Sequence, residues 1–147
     1  MNFNDLPLEA ELLDGLQAMN FKEATPIQEK AIPLILDKKD IIACAQTGTG
    51  KTAAYLLPIL NILCQRKHPE DKINALIMVP TRELALQIDQ QLDAFAYFLP
   101  VTSVAVYGGG DGAIFSQQEK AMRSGVDVVI ATPGRLISLL NMGKIDM

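Results

Sequence analysis

Apolar and polar positions recur along the chain in two periods, one helical and one extended. Leu8, Leu12, Leu13 and Leu16 fall at helical spacing and predict a short helix over residues 8–19. Thr25 followed by Pro26 is a helix start, a hydroxyl cap with proline at the first helical position. That helix is expected to run through Ile27, Ala31 and Ile35, with a bend at Pro33. Short apolar runs rich in β-branched residues predict strands at 40–45 (DIIACA), 74–79 (NALIMV), 102–107 and 126–131 (VDVVIA). Between them, helical patterns cover 51–65, 82–98 and 114–123, and another helix begins at 136–142. The charged stretch 66–72 (RKHPEDK) reads as a surface loop, and His68 beside Pro69 as an exposed histidine rather than a catalytic base.

Strands of four to six residues separated by helices imply βαβ units. Such units build a parallel sheet with helices on both faces, an α/β fold. Ligands of such folds gather where the C-terminal ends of strands meet loops. The loops after Ala45, Val79, Tyr107 and Ala131 all follow predicted strands. They are expected to line one edge of the sheet.

Composition narrows the class. The chain has 147 residues, enough for one domain with a sizeable core, and 13 Lys+Arg against 17 Asp+Glu give a net charge of −4. Plentiful Ile, Leu and Val with low net charge exclude intrinsic disorder. Cys44 and Cys64 are the only cysteines, which excludes a disulfide scaffold and a cysteine metal site. Two free thiols suit a reducing cytosol, so a cytoplasmic location is expected. No window reaches the ~18 consecutive apolar residues of a membrane span, and residues 1–5 lack the basic and apolar regions of a secretory signal. The acidic balance argues against gripping nucleic acid by bulk charge and leaves local phosphate contacts open.

The most specific string is Ala45-Gln46-Thr47-Gly48-Thr49-Gly50-Lys51-Thr52, between an apolar strand and an apolar helix. This is the context that a phosphate-binding loop demands. Gly48 and Gly50 permit backbone angles that turn successive N–H groups toward an anion. The helix that follows aims its positive end at the same anion. Lys51 would reach the β- and γ-phosphates of a nucleotide, and the Thr52 hydroxyl would ligate Mg²⁺. Those two residues are the candidates for catalysis, and Thr52 is the candidate metal ligand. Ala45 stands where the general pattern has glycine.

With Ala45 leading, this string resembles motif I of the DEAD-box RNA helicases. Upstream, Phe21-Lys22-Glu23-Ala24-Thr25-Pro26-Ile27-Gln28 is similar to the Q motif of that family, and Phe3 stands where the family has an isolated aromatic. The resemblance implies ATP as the nucleotide, with Phe21 stacking on adenine and Gln28 hydrogen-bonding its edge. An amide offers a donor and an acceptor together, as that edge requires. Asn20 and Ala24 depart from the usual Gly and Pro.

Pro80-Thr81-Arg82-Glu83-Leu84-Ala85 resembles motif Ia, Gly108-Gly109 the glycine doublet, and Thr132-Pro133-Gly134-Arg135 motif Ib. The resemblance implies that these residues contact the sugar–phosphate backbone of RNA, single-stranded or duplex. Hydroxyls at Thr81 and Thr132 and forked cations at Arg82 and Arg135 suit that task. None reads a base edge, so binding is expected to be sequence-independent. Each motif also has a structural reading: Thr81 as a helix cap with Glu83 in the first turn, Pro133-Gly134 as a turn. The segment 110–118 (GDGAIFSQQ) is slightly longer than the family's spacing.

The resemblance implies a RecA-like P-loop NTPase fold, with the N-terminal helix and Q motif in 1–28 and part of an ATP-binding domain in 29–147. The Asp-Glu-Ala-Asp string of the family is expected about twenty residues beyond Arg135, but the sequence has no Asp-Glu pair after an apolar strand. The second RecA-like domain is missing as well. The chain is therefore expected to be the ATP- and RNA-binding portion of a larger helicase, incomplete at its C-terminus and inactive in turnover on its own. Two other classes fit the phosphate loop: a different P-loop NTPase such as a DNA translocase, and a non-catalytic nucleotide- or RNA-binding module.

Overall fold

The computed structural model describes residues 1–110 and 112–143. The expected domain span 29–147 and the loop 110–118 each include positions outside those residues. The chain divides into two compact units. One contains Met1–Lys67 and Ala94–Pro100; the other contains His68–Asp93 and the chain from Val101.

The first unit is helical. A 3-10 turn, Phe3–Asp5, is capped by the Asn2 side chain, and Phe3 is buried. Helices α1 (Ala10–Ala18), α2 (Pro26–Leu36) and α3 (Lys51–Cys64) follow. Leu12 and Leu16 of α1 and Leu56, Leu57 and Leu60 of α3 are fully buried at the spacing of one helix face, and Ile32 of α2 is fully buried as well. Both α2 and α3 continue through an internal proline, Pro33 and Pro58. Burying one fully enclosed leucine removes enough apolar surface to stabilise by about 2 kcal/mol, which offsets much of the cost of such a break.

The expected strand at 40–45 does not form. This segment joins no ladder among the described residues, and Ile42 is 98% exposed. A strand exists only through its neighbour's N–H and C=O groups. An apolar β-branched run without such a neighbour remains extended chain.

The second unit holds the sheet. Strands β1 (Ala75–Met78), β2 (Ser103–Val106) and β3 (Val128–Ala131) are all parallel, in the order β1-β3-β2. Helices α4 (Arg82–Phe95), α5 (Gly112–Ser124) and α6 (Pro133–Asn141) alternate with them. Val106, Val129 and Ala131 pack with Met122 of α5 and Leu136 and Leu139 of α6 in one core cluster. Side chains alternate between faces along a strand, so Ser103 points the other way. There its hydroxyl meets Asp89 of α4 at 3.3 Å. Helices thus cover both faces, as the alternation of elements predicts. Leu76 and Met78 of β1 are 40% and 50% exposed.

The N-terminal ends of the strands are tied together by one buried carboxylate. Asp127 is 6% exposed. Its side chain accepts from the Thr102 amide at 3.1 Å and from Asn74 Nδ2 at 3.2 Å. Its own amide donates to Thr102 Oγ1 at 3.1 Å. His68 Nδ1 lies 3.5 Å from the same carboxylate, and the His68 side chain is 15% exposed. The histidine read from sequence as exposed is therefore mostly covered, because its loop folds back onto Asp127.

Candidate nucleotide and nucleic-acid sites

The phosphate loop lies in the first unit. Gly48 and Gly50 both adopt left-handed backbone, with φ of +81° and +80°. Gly50 is the N-cap of α3, so the loop enters the helix through a conformation that side-chain-bearing residues avoid. Gln46, Thr47, Gly48 and Lys51 are exposed, and Thr52 is half-buried. The free N–H groups of the first turn of α3 carry the positive end of the helix dipole.

The loop is held from the upstream motif. Gln28 is buried at 2% exposure. Its Oε1 accepts from the Thr25 amide at 2.9 Å and its Nε2 donates to the Gly50 carbonyl at 3.1 Å. Thr25 Oγ1 donates to the Thr49 carbonyl at 2.8 Å, and Thr49 Oγ1 to the Gln46 carbonyl at 2.6 Å. A Cβ on Gly50 would overlap the Gln28 amide. Sequence reading singled out Gln28 for an adenine edge; the fold uses it to brace the loop, leaving one N–H and one lone pair of its amide for further bonds. The role of Thr25 as the second brace was not read from sequence, although its side chain sits three residues before Gln28.

Phe21 is 38% exposed at a shallow open depression formed with Met19, Asn20, Lys22 and Glu23. Its ring stands edge-on to Phe95, with centroids 5.6 Å apart, and 6.4 Å from Phe3. Aromatic neighbours in such geometry fix a ring's plane. A second cleft of 260 Å³ lies between α2, α3 and the 40–45 segment, lined by Ile27, Ala31, Ile35, Ile41, Ala43, Lys51, Ala54 and Tyr55. Burial pushes the Tyr55 phenol above its ordinary value, and a hydrogen bond with the Thr52 side chain partly offsets this.

The donor set fits a nucleotide triphosphate with its magnesium. It has two left-handed glycines, of which Gly48 borders open space, the amides of a helix start, one ammonium and one hydroxyl. Among the described residues no cluster of His, Cys, Asp and Glu could hold a metal by itself. A cation here would need the nucleotide's own oxygens beside Thr52.

The other motifs meet in the second unit, at the C-terminal edge of the sheet. Thr81 Oγ1 accepts from the Leu84 amide at 3.2 Å, so it caps α4 and points Arg82 out of the first turn. Arg82 lies over the Tyr107 ring, 5.0 Å from its centroid. A Cβ on Gly109, at φ +85°, would come within 3.3 Å of Arg82 Nη1. The Thr132 amide donates to the Val106 carbonyl at 2.9 Å, and Pro133 opens α6. Arg135 lies 4.8 Å from the centroid of Phe115. Its Nη1 donates to Gln118 Oε1 at 2.9 Å and its Nη2 to the Gly109 carbonyl at 3.3 Å. Pro80, Thr81, Arg82, Gly108, Gly109, Pro133 and Gly134 are exposed; Thr132 and Arg135 are half-buried.

The structure therefore brings motif Ia, the glycine doublet and motif Ib onto one surface. Tyr107, Phe115 and Gln118 hold that surface but were not read from sequence. Their signal was present: Phe115 and Gln118 are three apart and share a helix face.

Comparison with known proteins places the chain in a family. The sequence model of the DEAD/DEAH box helicase family matches residues 25–146. A probable ATP-dependent RNA helicase, ddx27, of Dictyostelium discoideum is 49% identical over 146 residues, which is 99% of this chain and 18% of that protein. The DEAD-box ATP-dependent RNA helicase CshA of Streptococcus pneumoniae is 46% identical over 140 residues, 95% of this chain and 26% of that protein. The crystal structure of a hypothetical ATP-dependent RNA helicase from Sulfolobus tokodaii superposes with a TM-score of 0.81 at 34% identity, covering 95% of this chain and 38% of that one. The chain thus spans roughly a fifth to a quarter of the length of these two curated relatives. A RecA-like α/β scaffold, a braced phosphate loop and a matching family pattern over most of its length lead to one conclusion: the chain belongs to the DEAD/DEAH box helicase family.

Proposed function

We propose that the chain is the ATP- and RNA-binding portion of an ATP-dependent RNA helicase that remodels short RNA duplexes or ribonucleoprotein. One observation carries this reading: two left-handed glycines, braced by Gln28 and Thr25, open directly onto the N-terminus of α3 beside Lys51 and Thr52. Such a loop costs folding free energy unless something uses the amides it turns outward.

Lys51 would neutralise the β- and γ-phosphates, and the loop amides from Gln46 to Gly50 would bind their oxygens. Thr52 would hold the magnesium ion with the lone pair its Tyr55 contact leaves free. When bound, that ion would supply charge neutralisation to the phosphates. Phe21 would stack on adenine and Gln28 would bond its edge, so that the same amide senses the base and sets the loop. In the second unit, the exposed Arg82 and the half-buried Arg135 would contact RNA phosphates, with Thr81 and Thr132 contributing hydroxyls and Gly108 and Gly109 allowing close approach. These contacts are independent of base identity.

Hydrolysis requires an oriented water and a metal-holding carboxylate besides the phosphate loop. No Asp-Glu pair occurs in these residues. On this reading, turnover draws on carboxylates and a second RecA-like domain in a cytoplasmic helicase, and the chain tested alone binds nucleotide without hydrolysing it. Titrating the chain with a magnesium-bound, non-hydrolysable ATP analogue, with and without single-stranded RNA, tests the reading. Saturable binding that Lys51→Ala weakens at least tenfold, about 1.4 kcal/mol, supports it. Equal binding by the Lys51→Ala variant, or turnover by the isolated chain, contradicts it.

A further inference from the structure

We propose that Gln118, together with Phe115, is a positioning residue for Arg135, holding its guanidinium ready for an RNA phosphate. The proposal rests on the reading of this surface as RNA-binding and deepens it. Three groups hold Arg135: the Gln118 amide oxygen at 2.9 Å, the Gly109 carbonyl at 3.3 Å and the Phe115 ring at 4.8 Å. All three are neutral. Among the described residues, no carboxylate pairs with Arg135.

That choice of partners matters. A half-buried arginine usually takes a carboxylate, which fixes the side chain and cancels its charge. Here an amide, a carbonyl and a ring face fix it and leave the charge whole. Two of its five N–H groups are used by those contacts, and the rest are free for an oxygen ligand. Freezing a long side chain before binding removes an entropic cost from the binding step.

Gln118 has a further mark of such a role. It is 4% exposed, yet its Nε2 has no hydrogen-bond partner among the described residues. Leaving a buried amide donor unpaired is unfavourable. An apolar residue at this helix position would avoid that cost; what the glutamine contributes is its oxygen, which accepts from Arg135 Nη1. By contrast, Arg82 is exposed and rests on Tyr107 alone among rings. The two cations thus differ in kind: Arg82 adapts and Arg135 is preset.

The test is binding of a fluorescent single-stranded oligouridylate by the intact chain, followed by anisotropy across a salt series, with unfolding midpoints measured alongside. Arg135→Ala should weaken binding about tenfold and lower the salt slope by about one. Gln118→Ala should weaken it several-fold without changing that slope, and should add nothing in the Arg135→Ala background. Gln118→Glu keeps the shape and the bond but supplies the missing counter-charge. It should stay folded and bind RNA more weakly than wild type, and this variant decides the matter if Gln118→Ala unfolds. Wild-type binding by Gln118→Glu, or a Gln118→Ala effect that persists undiminished without Arg135, overturns the positioning role while the RNA reading stands. An Arg135→Ala variant that binds RNA like wild type overturns both.

Discussion

The side-chain amide of Gln28 donates from Nε2 to the carbonyl of Gly50 at 3.1 Å, joining the upstream motif to the residue that caps α3. The two are 22 positions apart, and Gly50 is in left-handed backbone. Together with the Thr25 bond to the Thr49 carbonyl, this bond ties the end of the phosphate loop to the start of α2.

Removing either partner should therefore damage nucleotide binding more than folding. Gln28→Ala loses two buried hydrogen bonds and should cost about 2 kcal/mol in stability. If Gln28 also reads adenine, the variant should bind fluorescent ATP and GTP analogues equally weakly. Gly50→Ala adds a methyl group where the Gln28 amide stands and forces φ of +80° on a residue that resists it. It should abolish nucleotide binding while circular dichroism still reports a folded chain. Tight binding by Gly50→Ala would mean that the loop is not braced as described.

Asp127→Ala should be among the most destabilising single changes in the second unit. It strips acceptors from the Thr102 amide and from Asn74 at the mouth of the sheet. The buried Thr102 amide is left unpaired, at about 2 kcal/mol, while Asn74 Nδ2 keeps the Pro69 and Lys72 carbonyls at 2.9 and 3.0 Å. Chemical denaturation measures this directly; a loss within experimental error would show that water replaces the carboxylate freely.

The two thiols should react very differently. Cys44 is exposed, whereas Cys64 is half-buried and pushed up to about 11, first by burial and then by Glu9 and Glu11. At pH 8 a maleimide should label Cys44 and spare Cys64. The raised value also sets a sign for stability. Folding holds the Cys64 proton more tightly than the unfolded chain, whose thiol titrates near 9.0. This contribution is intact below that pH and is lost as pH rises toward 11. Cys64→Ser should flatten that alkaline decline.

Ile42 lies almost wholly in solvent within an apolar, β-prone segment. Such segments recruit strands from other molecules. Ile42→Lys should leave the unfolding midpoint unchanged to within about 0.5 kcal/mol and reduce self-association in sedimentation velocity. A wild-type chain that is monomeric at high concentration would show that this segment is protected in solution.

How far each feature could be read from sequence follows the distance over which it is determined. The phosphate loop is local: Gly48 through Thr52 carry their backbone preferences and their ligands within five residues. Helix starts at Thr25 and Thr81 were legible for the same reason, whereas the last helix, expected from 136, begins at Pro133 with Thr132 as its N-cap. The strand at 40–45 was misread because its residues have strand chemistry, while pairing depends on a partner that no local pattern reveals. His68 was misread as exposed because the residue that covers it, Asp127, is 59 positions away. Gln118 was overlooked because its role depends on Arg135, one strand later in the chain. Gln28 was picked for its chemistry, and the structure adds a bond to Gly50 that the same chemistry makes possible.

The most direct measurement is an amide-resolved NMR titration of the intact chain with a magnesium-bound ATP analogue. The amides of Gly48, Gly50, Lys51 and Thr52 should shift together and saturate at or below cellular ATP concentrations, and Lys51→Ala should move that saturation to far higher concentration. Amides of this turn that stay still through the whole titration, in wild type and variant alike, would contradict the assignment of a nucleotide site to it.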